Sequence, residues 1–301
     1  MLPIIQKRKI FFTISGILVA VSIAFLASFG LKPGLDFTGG TLFEFEFTEK
    51  RPELTQIQQS LSDVNLGAVV LQQTGDNGYL LKTRFITSDE HQKILTELRT
   101  DFEKENNKVL EQRFETIGPA ISAELRNRSV KTGIFVSLAI VAYIAYSFRK
   151  VSRPVQSWKY GVVAMIALAH NVIITMGVFS ALGKYMGVEV GIPFVVALLT
   201  ILGATVNDTI VVFDRIREKL IRRSANNFAE TVNIAVNETI GRSLNISLAI
   251  ALTLAALLFF GGETIHYFSL ALLIGIISGT YSSIFLASPM LVSWQELGKQ
   301  K

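Results

Sequence analysis

The sequence contains no cysteine, and this absence limits the chemistry that the protein can perform. Without thiols there is no disulfide bond, no thiolate nucleophile and no cysteine-ligated metal or haem site. A His-Glu-x-x-His motif is also missing, and the two aspartates of the most distinctive apolar block, Asp208 and Asp214, lie on one predicted helix. We therefore expect neither an enzyme, nor a cofactor, nor a bound metal.

Charged residues are scarce, at 18% of the chain, whereas 50% of the residues are hydrophobic. The apolar residues form long blocks that a soluble domain would not tolerate, which indicates a polytopic membrane protein in a lipid bilayer. The net charge of +5 comes from 29 basic and 24 acidic residues. Because the basic residues cluster at the ends of the apolar blocks, we expect no nucleic-acid partner.

Six apolar blocks are long enough to cross a bilayer. The first is preceded by Lys7, Arg8 and Lys9, and it is too long for the apolar region of a signal peptide, so we expect a retained anchor. The predicted spans are 10–31, 132–148, 160–182, 191–213, 240–260 and 264–288. This pattern predicts three parts: a first span within 1–31, a soluble domain at 32–128, and five spans within 129–301 that enclose a hydrophilic loop at 214–239.

The polar stretch between the first two spans has the pattern of a small α+β domain. Phe43, Phe45 and Phe47 alternate with Glu44 and Glu46, which is typical of a half-buried strand. The further predicted elements are a helix after Pro52 with Leu54, Ile57 and Leu61 on one face, strands at 68–73 and 79–86, a helix capped by Ser88, and a strand at 109–117. The order β-α-β-β-α-β predicts a ferredoxin-like split sandwich with both helices on one face of the sheet.

The basic residues in the short connections predict the orientation of the spans. Four segments are rich in Lys and Arg: the N-terminus, the loop containing Arg149, Lys150, Arg153 and Lys159, the segment 215–223, and the C-terminus with Lys299 and Lys301. By the positive-inside rule both termini are cytoplasmic and residues 32–128 are external. A short amphipathic helix with Arg126, Arg128 and Lys131, after a break at Gly118-Pro119, is expected to lead into the second span.

Asp208 is the residue of the fourth span that most needs an explanation. A charged residue at the centre of a span costs about 2.5–3.5 kcal/mol on insertion scales. Asp208 precedes Asp214 by six residues, so it lies roughly 9 Å from the cytoplasmic end of the span. One alternative is that its side chain reaches the membrane surface, but Asp has a short stem, and Thr205 and Asn207 form a small polar surface beside it. We favour a functional carboxylate.

Polar residues of two neighbouring spans could complete a site around Asp208. Arg242 lies near the cytoplasmic start of the fifth span, with Asn245 one turn further in, and an arginine beside Asp208 would favour its charged form. The alternative for Arg242 is an ordinary positive-inside anchor. His170 and Asn171 lie in the middle of the third span, where they either join this network or form hydrogen bonds between helices.

Two glycine patterns predict local backbone features. Gly275 and Gly279 form a Gly-x-x-x-Gly in the sixth span, which indicates close helix packing. Before the first strand, Asp36 precedes the pair Gly39-Gly40, and no helix with a lysine follows to make a phosphate cradle. We interpret Asp36, Gly39 and Gly40 as a structural elbow between the first span and the soluble domain.

Three of these stretches resemble the SecF subunits of the SecD/SecF protein-export complex, within the resistance-nodulation-division superfamily. They are LDFTGG at 35–40, LLTILGATVNDTIVVFDRIRE at 198–218, and TIGRS at 239–243, and the similarity extends over nearly the whole chain. The resemblance implies that Asp208 is a proton-linked carboxylate, with Arg242 as its basic counterpart 34 residues further on. Members of this family often have Asp after the third-span histidine, where this chain has Asn171, so the inference for His170 and Asn171 is weaker.

The resemblance also implies a function and partners. A SecD-like subunit would supply six more spans and a larger external domain, the complex would work beside the Sec channel in a bacterial inner membrane, and proton flow would move external domains that hold an unfolded preprotein. Two alternatives remain. The chain could only dock SecD against the channel without coupling to ions, or it could belong to a small-molecule exporter of the same superfamily, although its soluble domain is small for that role.

Overall fold

The computed structural model describes residues 1–62, 64–104, 106–147, 156–222, 225 and 227–297. Several residues named above lie outside this described part, namely Phe148, Arg149, Lys150, Arg153, Arg223, Lys299 and Lys301. The chain divides into two compact units. We refer to Met1–Lys32 together with Val130–Lys301 as the membrane unit, and to Pro33–Ser129 as the sheet domain.

The secondary structure alternates long helices with one small sheet. The helices are α1 (Arg8–Phe29), α2 (Leu35–Thr38), α3 (Leu54–Ser60), α4 (Ser88–Phe102), α5 (Pro119–Ser147), α6 (Ser157–Met186), α7 (Ile192–Ile221), α8 (Phe228–Phe260), α9 (Glu263–Ser282) and α10 (Ser288–Leu297), with a π-helical turn at Ser283–Ala287. The strands are β1 (Gly40–Phe47), β2 (Val70–Thr74), β3 (Gly78–Thr83) and β4 (Val109–Ile117). Within the described ranges, six helical segments are long and apolar enough to cross a membrane, as predicted.

The helix α5 corrects one prediction. The short amphipathic helix expected after Gly118-Pro119 is not separate, because α5 runs without interruption from Pro119 to Ser147. Proline is tolerated at the first position of a helix, where its missing N–H has no partner in any case. Glu124 and Arg128, one turn apart, form an ion pair of 2.5 Å that supports the polar first turns.

The hydrophilic connection expected at 214–239 is helical for most of its length. The helix α7 continues to Ile221 and α8 already begins at Phe228, so both helices extend well beyond their apolar blocks. The side chain of Asn227 caps α8 by accepting a hydrogen bond from the backbone N–H of Glu230, at 2.8 Å. Hydropathy identifies only the apolar part of each helix. The polar turns at the helix ends are stabilised by ion pairs and caps, which hydropathy does not register.

The sheet domain has the predicted ferredoxin-like topology. Its four strands are all antiparallel and lie in the order β2-β3-β1-β4. Phe43, Phe45 and Phe47 of β1 are fully buried, and they pack with Leu81 of β3 and Leu98 of α4 in one apolar core. The alternation of Phe and Glu therefore gave the correct inner face of β1.

The N-cap of α4 is Thr87, not the predicted Ser88, which is the first residue of the helix. The Thr87 hydroxyl accepts a hydrogen bond from the backbone N–H of Glu90, at 3.4 Å, and the Glu90 carboxylate accepts one from the backbone N–H of Thr87, at 2.8 Å. This reciprocal capping box needs a Glu three residues after the cap. Thr87 meets that spacing.

In the membrane unit the six spans differ in how much of their surface is covered. The helix α6 and the span formed by α9 and α10 are the most enclosed, whereas α5 and α1 are the most exposed and α8 follows them. His170 and Asn171 of α6 are consequently buried, whereas Arg242 and Asn245 of α8 are exposed. This difference determines the environment of the predicted site residues.

Candidate functional site

The helices α7 and α9 approach each other closely at two glycines, which confirms the packing predicted from the Gly-x-x-x-Gly. A Cβ atom built on Gly275 would lie 2.1 Å from Cδ1 of Ile201, and one built on Gly279 would lie 1.9 Å from Cγ2 of Thr205. No side chain fits in such a space. Glycine at both positions therefore lets the fourth span pack directly on the backbone of the sixth.

Three of the predicted site residues are buried around Gly279. Thr205, Asn171 and His170 have exposed fractions of 2%, 1% and 4%. A Cβ atom built on Gly279 would lie 3.6 Å from the Asn171 amide nitrogen of α6. Thr205 of α7 lies next to the same point, so the three helices meet at Gly279. We call His170, Asn171, Thr205 and Gly279 the core cluster. It joins the third, fourth and sixth spans.

Within the core cluster, the imidazole and the amide satisfy only part of their hydrogen-bonding capacity. His170 Nδ1 lies 3.0 Å from Asn171 Oδ1, within hydrogen-bonding distance. His170 Nε2 and Asn171 Nδ2 are buried and have no hydrogen-bond partner among the residues that the structure describes. Each of the two side chains therefore has one buried nitrogen that the rest of the described chain does not pair.

Hydroxyl groups extend the polar region beyond the residues that the sequence indicated. Thr209 Oγ1 donates to the carbonyl of Thr205, at 3.0 Å, and to Ser283 Oγ, at 3.3 Å. Ser283 begins the π-helical turn, and such turns are frequent at functional sites. Thr280 Oγ1 donates to Ser247 Oγ of α8, at 2.5 Å. Thr209 and Ser247 were missed, because a single Thr or Ser in an apolar block carries no distinctive signal.

Asp208 is half-buried on α7, and the neighbouring Asn207 is exposed. Among the described residues no Lys, Arg or His forms an ion pair with Asp208, so the predicted pair with Arg242 is not formed in this structure. The reason is the position of Arg242. Its side chain is exposed on α8, where it lines an open cavity of about 450 Å³ together with Asp214 and Glu238.

Asn245 is also exposed on α8. The predicted residues therefore separate into two sets. His170, Asn171 and Thr205 lie in the buried core cluster, while Asn207, Arg242 and Asn245 face outward, and Asp208 lies between these extremes. We call the exposed residues Asn207, Arg242 and Asn245 the outer polar face. A surface of this kind is costly against lipid tails.

The polar ends of α7 and α8 are tied together by ion pairs. The Glu238 carboxylate lies 2.5 Å from Arg215 Nη2 and 2.7 Å from Lys219 Nζ, so one acidic residue of α8 holds two basic residues of α7. Sequence reasoning read the basic residues only as topology signals. Glu238 was missed, since its partners come from another helix.

The glycine pair before β1 has a local explanation inside the sheet domain. Asp36 lies in the first turn of α2, and Gly39 and Gly40 follow it with φ angles of +71° and +121°. A Cβ on Gly40 would lie only 2.6 Å from the carbonyl oxygen of Thr83. Both conditions exclude other residues at Gly40. The role of Asp36, Gly39 and Gly40 as an elbow stays a prediction.

No group of three or more His, Asp or Glu residues in the described part of the chain could hold a metal ion. The fold and the site define a polytopic membrane protein that carries a ferredoxin-like domain between its first two spans and polar, titratable residues within its spans.

Comparisons with known proteins identify the family. Residues 97–297 match the family described as protein export membrane protein SecD/SecF, C-terminal, and residues 24–50 match the SecD/SecF GG motif. The protein translocase subunit SecF of Thermobaculum terrenum is 41% identical, over 98% of this chain and 94% of that relative. The SecF subunit of Haemophilus influenzae is 33% identical, over 94% of this chain and 82% of its own length. The chain belongs to the SecF family of protein translocase subunits.

A solved structure supports the same assignment. The crystal structure of SecDF, a translocon-associated membrane protein from Thermus thermophilus, matches with a TM-score of 0.79 and 31% identity over 97% of this chain. This chain spans only 38% of that SecDF chain. The remaining part of the SecDF chain therefore has no counterpart here.

Proposed function

We propose that this protein couples proton flow to a late stage of preprotein translocation, as the SecF half of an accessory complex beside the Sec channel. Its partner would be a SecD-like subunit, in line with the SecDF chain, of which this protein matches 38%. The observation that carries the proposal is Asp208, a half-buried carboxylate within a span that has no ion-pair partner among the described residues. We propose no hydrolytic role, since the relatives are named translocase subunits.

Coupling to proton flow needs a carboxylate whose protonation changes when its surroundings change. Inside a dry membrane unit the neutral form of an acid is favoured, whereas water or a nearby arginine favours the charged form. Asp208 lies beside the outer polar face residue Asn207, so a small movement of α7 or α8 alters its access to water and to Arg242. One charge moved through the membrane potential supplies about 2.3 kcal/mol per 100 mV, comparable with the gap between two protein conformations.

The proposal includes an orientation in which both termini are cytoplasmic and the sheet domain is external. Three contacts support it by joining the N-terminus, the start of α8 and the end of α10 at one end of the membrane unit. Asn237 of α8 exchanges two hydrogen bonds with the backbone of Leu2, at 2.7 and 2.9 Å. Arg8 lies 2.5 Å from Glu296. The basic residues at the end of α7 pair with Glu238, one helical position from Asn237.

The test is Asp208→Asn in membrane vesicles that contain the whole complex. We expect the variant to assemble normally and to lose the stimulation of late translocation by a proton gradient. Asp214→Asn is the matched control, because Asp214 lies on the same helix but is exposed and only 3.5 Å from Arg217. Full gradient-dependent export by Asp208→Asn would exclude the relay role. Repeating the assay with a sodium gradient identifies the coupling ion.

A second candidate function is that of a docking subunit without its own ion coupling. The exposure of Arg242 and Asn245 on α8 favours it, because polar residues on the outside of a span require another chain to cover them. In that case Arg242→Ala would abolish co-purification with the SecD-like subunit, and Asp208→Asn would leave gradient-dependent export unchanged. A proton relay predicts instead that Asp208→Asn loses gradient-dependent export.

A further inference from the structure

His170 and Asn171 form a polar pair that the rest of the membrane unit does not complete. His170 Nδ1 lies 3.0 Å from Asn171 Oδ1, but His170 Nε2 and Asn171 Nδ2 are buried without a hydrogen-bond partner among the described residues. The two residues are only 4% and 1% exposed. One unpaired buried polar atom is already costly, and here two lie on neighbouring residues. Such a pair indicates a binding site.

The chemistry of the pair defines what its partner must do. A buried charge is costly, so we consider the imidazole in its neutral form, which has one donor and one acceptor nitrogen. If Nδ1 donates to the amide oxygen, Nε2 is left as an acceptor and the amide NH2 group as a donor. If the NH2 group donates to Nδ1 instead, Nε2 is left as a donor and the amide oxygen as an acceptor. In both arrangements one donor and one acceptor need a partner.

A water molecule meets this requirement, and an ion does not. Water both donates and accepts hydrogen bonds, whereas a cation can bind only the acceptor and an anion only the donor. Because this chain encloses both side chains almost completely, a lipid headgroup or a side chain of another subunit cannot reach them. Buried waters in proteins typically bond to polar groups that would otherwise be unpaired.

The two threonines nearest to the pair in the helices do not take this role. Thr175 Oγ1, one turn further along α6, donates to the carbonyl of Asn171 at 2.9 Å. Thr205 Oγ1 of α7 donates to the carbonyl of Ile201 at 2.8 Å. A hydroxyl group has a single proton, so neither threonine can also donate to the pair.

We propose that one ordered water molecule is bound between His170 Nε2 and the side-chain amide of Asn171, as a structural part of the core cluster. It donates a hydrogen bond to one of the two groups and accepts one from the other. The amide of Asn171 lies beside the point where Gly279 of α9 meets Thr205 of α7. The water is therefore held where the third, fourth and sixth spans come together.

This site goes beyond the proposed function, because it is argued from the two unpaired side chains and not from proton coupling. Thr205 precedes Asp208 by three residues, so the water lies within about one helical turn of this carboxylate along α7. The position makes the site relevant to a relay through Asp208. Each of the two can nevertheless fail without the other.

X-ray footprinting of the full chain, assembled with its SecD-like partner in lipid nanodiscs, tests for the water directly. A short X-ray pulse converts water into hydroxyl radicals, which oxidise the side chains beside them, and mass spectrometry locates the products. The probe is therefore water itself. A radical scavenger in the buffer removes the radicals formed in bulk water, but it cannot enter a closed site.

We expect His170 to be oxidised to the same extent with and without the scavenger. Two residues of the same helix are the references: Tyr185, at 73% exposed, should be oxidised only without the scavenger, and Phe179, at 1% exposed and packed on Phe194, should be oxidised in neither case. If the scavenger protects His170 as fully as Tyr185, bulk water reaches the imidazole and the proposal is wrong. No oxidation of His170 in either condition would equally overturn it.

Two substitutions of similar shape on α6 test whether the amide holds the water. Asn171→Leu should reduce the scavenger-resistant oxidation of His170 about fivefold, which corresponds to one lost hydrogen bond. Thr175→Val is the matched control and should leave it within about twofold, because Thr175 is also fully buried but bonds to a backbone carbonyl. Equal effects of the two variants would contradict the proposal. If Asn171→Leu does not fold, the scavenger comparison on the unsubstituted chain still decides.

Comparison with Asp208→Asn separates this site from the proposed function. If Asp208→Asn exports normally while His170 shows scavenger-resistant oxidation, the relay is wrong and the water site stands. If Asp208→Asn loses gradient-dependent export while His170 of the unsubstituted chain is not oxidised, the relay stands and the water site is wrong.

Discussion

The substitution Gly279→Ala tests the arrangement of the core cluster most directly. Its new methyl group would lie 1.9 Å from Cγ2 of Thr205, whereas ordinary contacts begin near 3.4 Å, so α7 and α9 must separate by up to 3.4 − 1.9 = 1.5 Å at this point. Overpacking of this kind costs about 1–3 kcal/mol. The gain in helix propensity from Gly to Ala, about 0.8–1 kcal/mol, offsets part of that cost.

Gly203→Ala is the matched control, because a Cβ there has no atom within 4 Å and the residue lies on the same α7 that carries Thr205. We expect Gly279→Ala to lower the thermal midpoint of the purified chain by several degrees and Gly203→Ala to leave it unchanged or slightly raised. Intrinsic fluorescence of the chain in detergent measures the midpoint.

The double variant Gly279→Ala with Thr205→Ser decides whether the clash is the cause. Serine lacks Cγ2 but keeps the hydroxyl that donates to the carbonyl of Ile201, at 2.8 Å. The two substitutions should therefore couple favourably, by about 0.5–3 kcal/mol, in a double-mutant cycle. Additive effects, or a Gly279→Ala midpoint equal to that of Gly203→Ala, would refute the close packing of α7 on α9.

Two further predictions concern parts of the chain outside the core cluster. Arg84 donates to the carboxylate of Glu90, at 2.5 Å, and lowers the pKa of Glu90 from 4.5 to about 2. The ionised form of Glu90 therefore contributes to the stability of the sheet domain fully above pH 4.5, and this contribution is lost as the pH falls to about 2. The variant Glu90→Gln lacks the titrating carboxylate, so amide exchange in α4 should depend less on pH in this acid range. Asn237→Ala removes both hydrogen bonds to Leu2 at the cost of about 1 kcal/mol, so trypsin should cut after Lys7 several-fold faster.

Local patterns in the sequence were sufficient for the elements whose burial is itself local. The alternation of Phe43, Phe45 and Phe47 predicts the inner face of β1, and all three are fully buried. The spacing of Gly275 and Gly279 predicts a close contact with another helix, and α7 makes this contact. In each case the periodicity of one element determines which side chains face a neighbour.

Contacts between distant segments could not be predicted in the same way. The spacing of 34 residues between Asp208 and Arg242 says nothing about the rotation of α8, and in the structure Arg242 lines a cavity together with Asp214 and Glu238. The polar turns at the ends of α7 and α8 were read as a loop, because hydropathy does not register the ion pairs that Glu238 forms with α7. The orientation of Arg242 and the length of α7 and α8 both depend on packing and ion pairs between residues that are distant in the sequence.

The division of the predicted site has a consequence for the whole assembly. An aspartate facing lipid at the middle of a span costs about 2.5–3.5 kcal/mol, and Asp208 lies beside Asn207, an exposed residue of the outer polar face. The core cluster, in contrast, is completed by residues of this chain alone. A second membrane subunit packed on α7 and α8 would remove the cost of the outer polar face and bring its own polar groups to Asp208. In the proposed function, the proton path would then have one wall from this chain and the other from the SecD-like subunit.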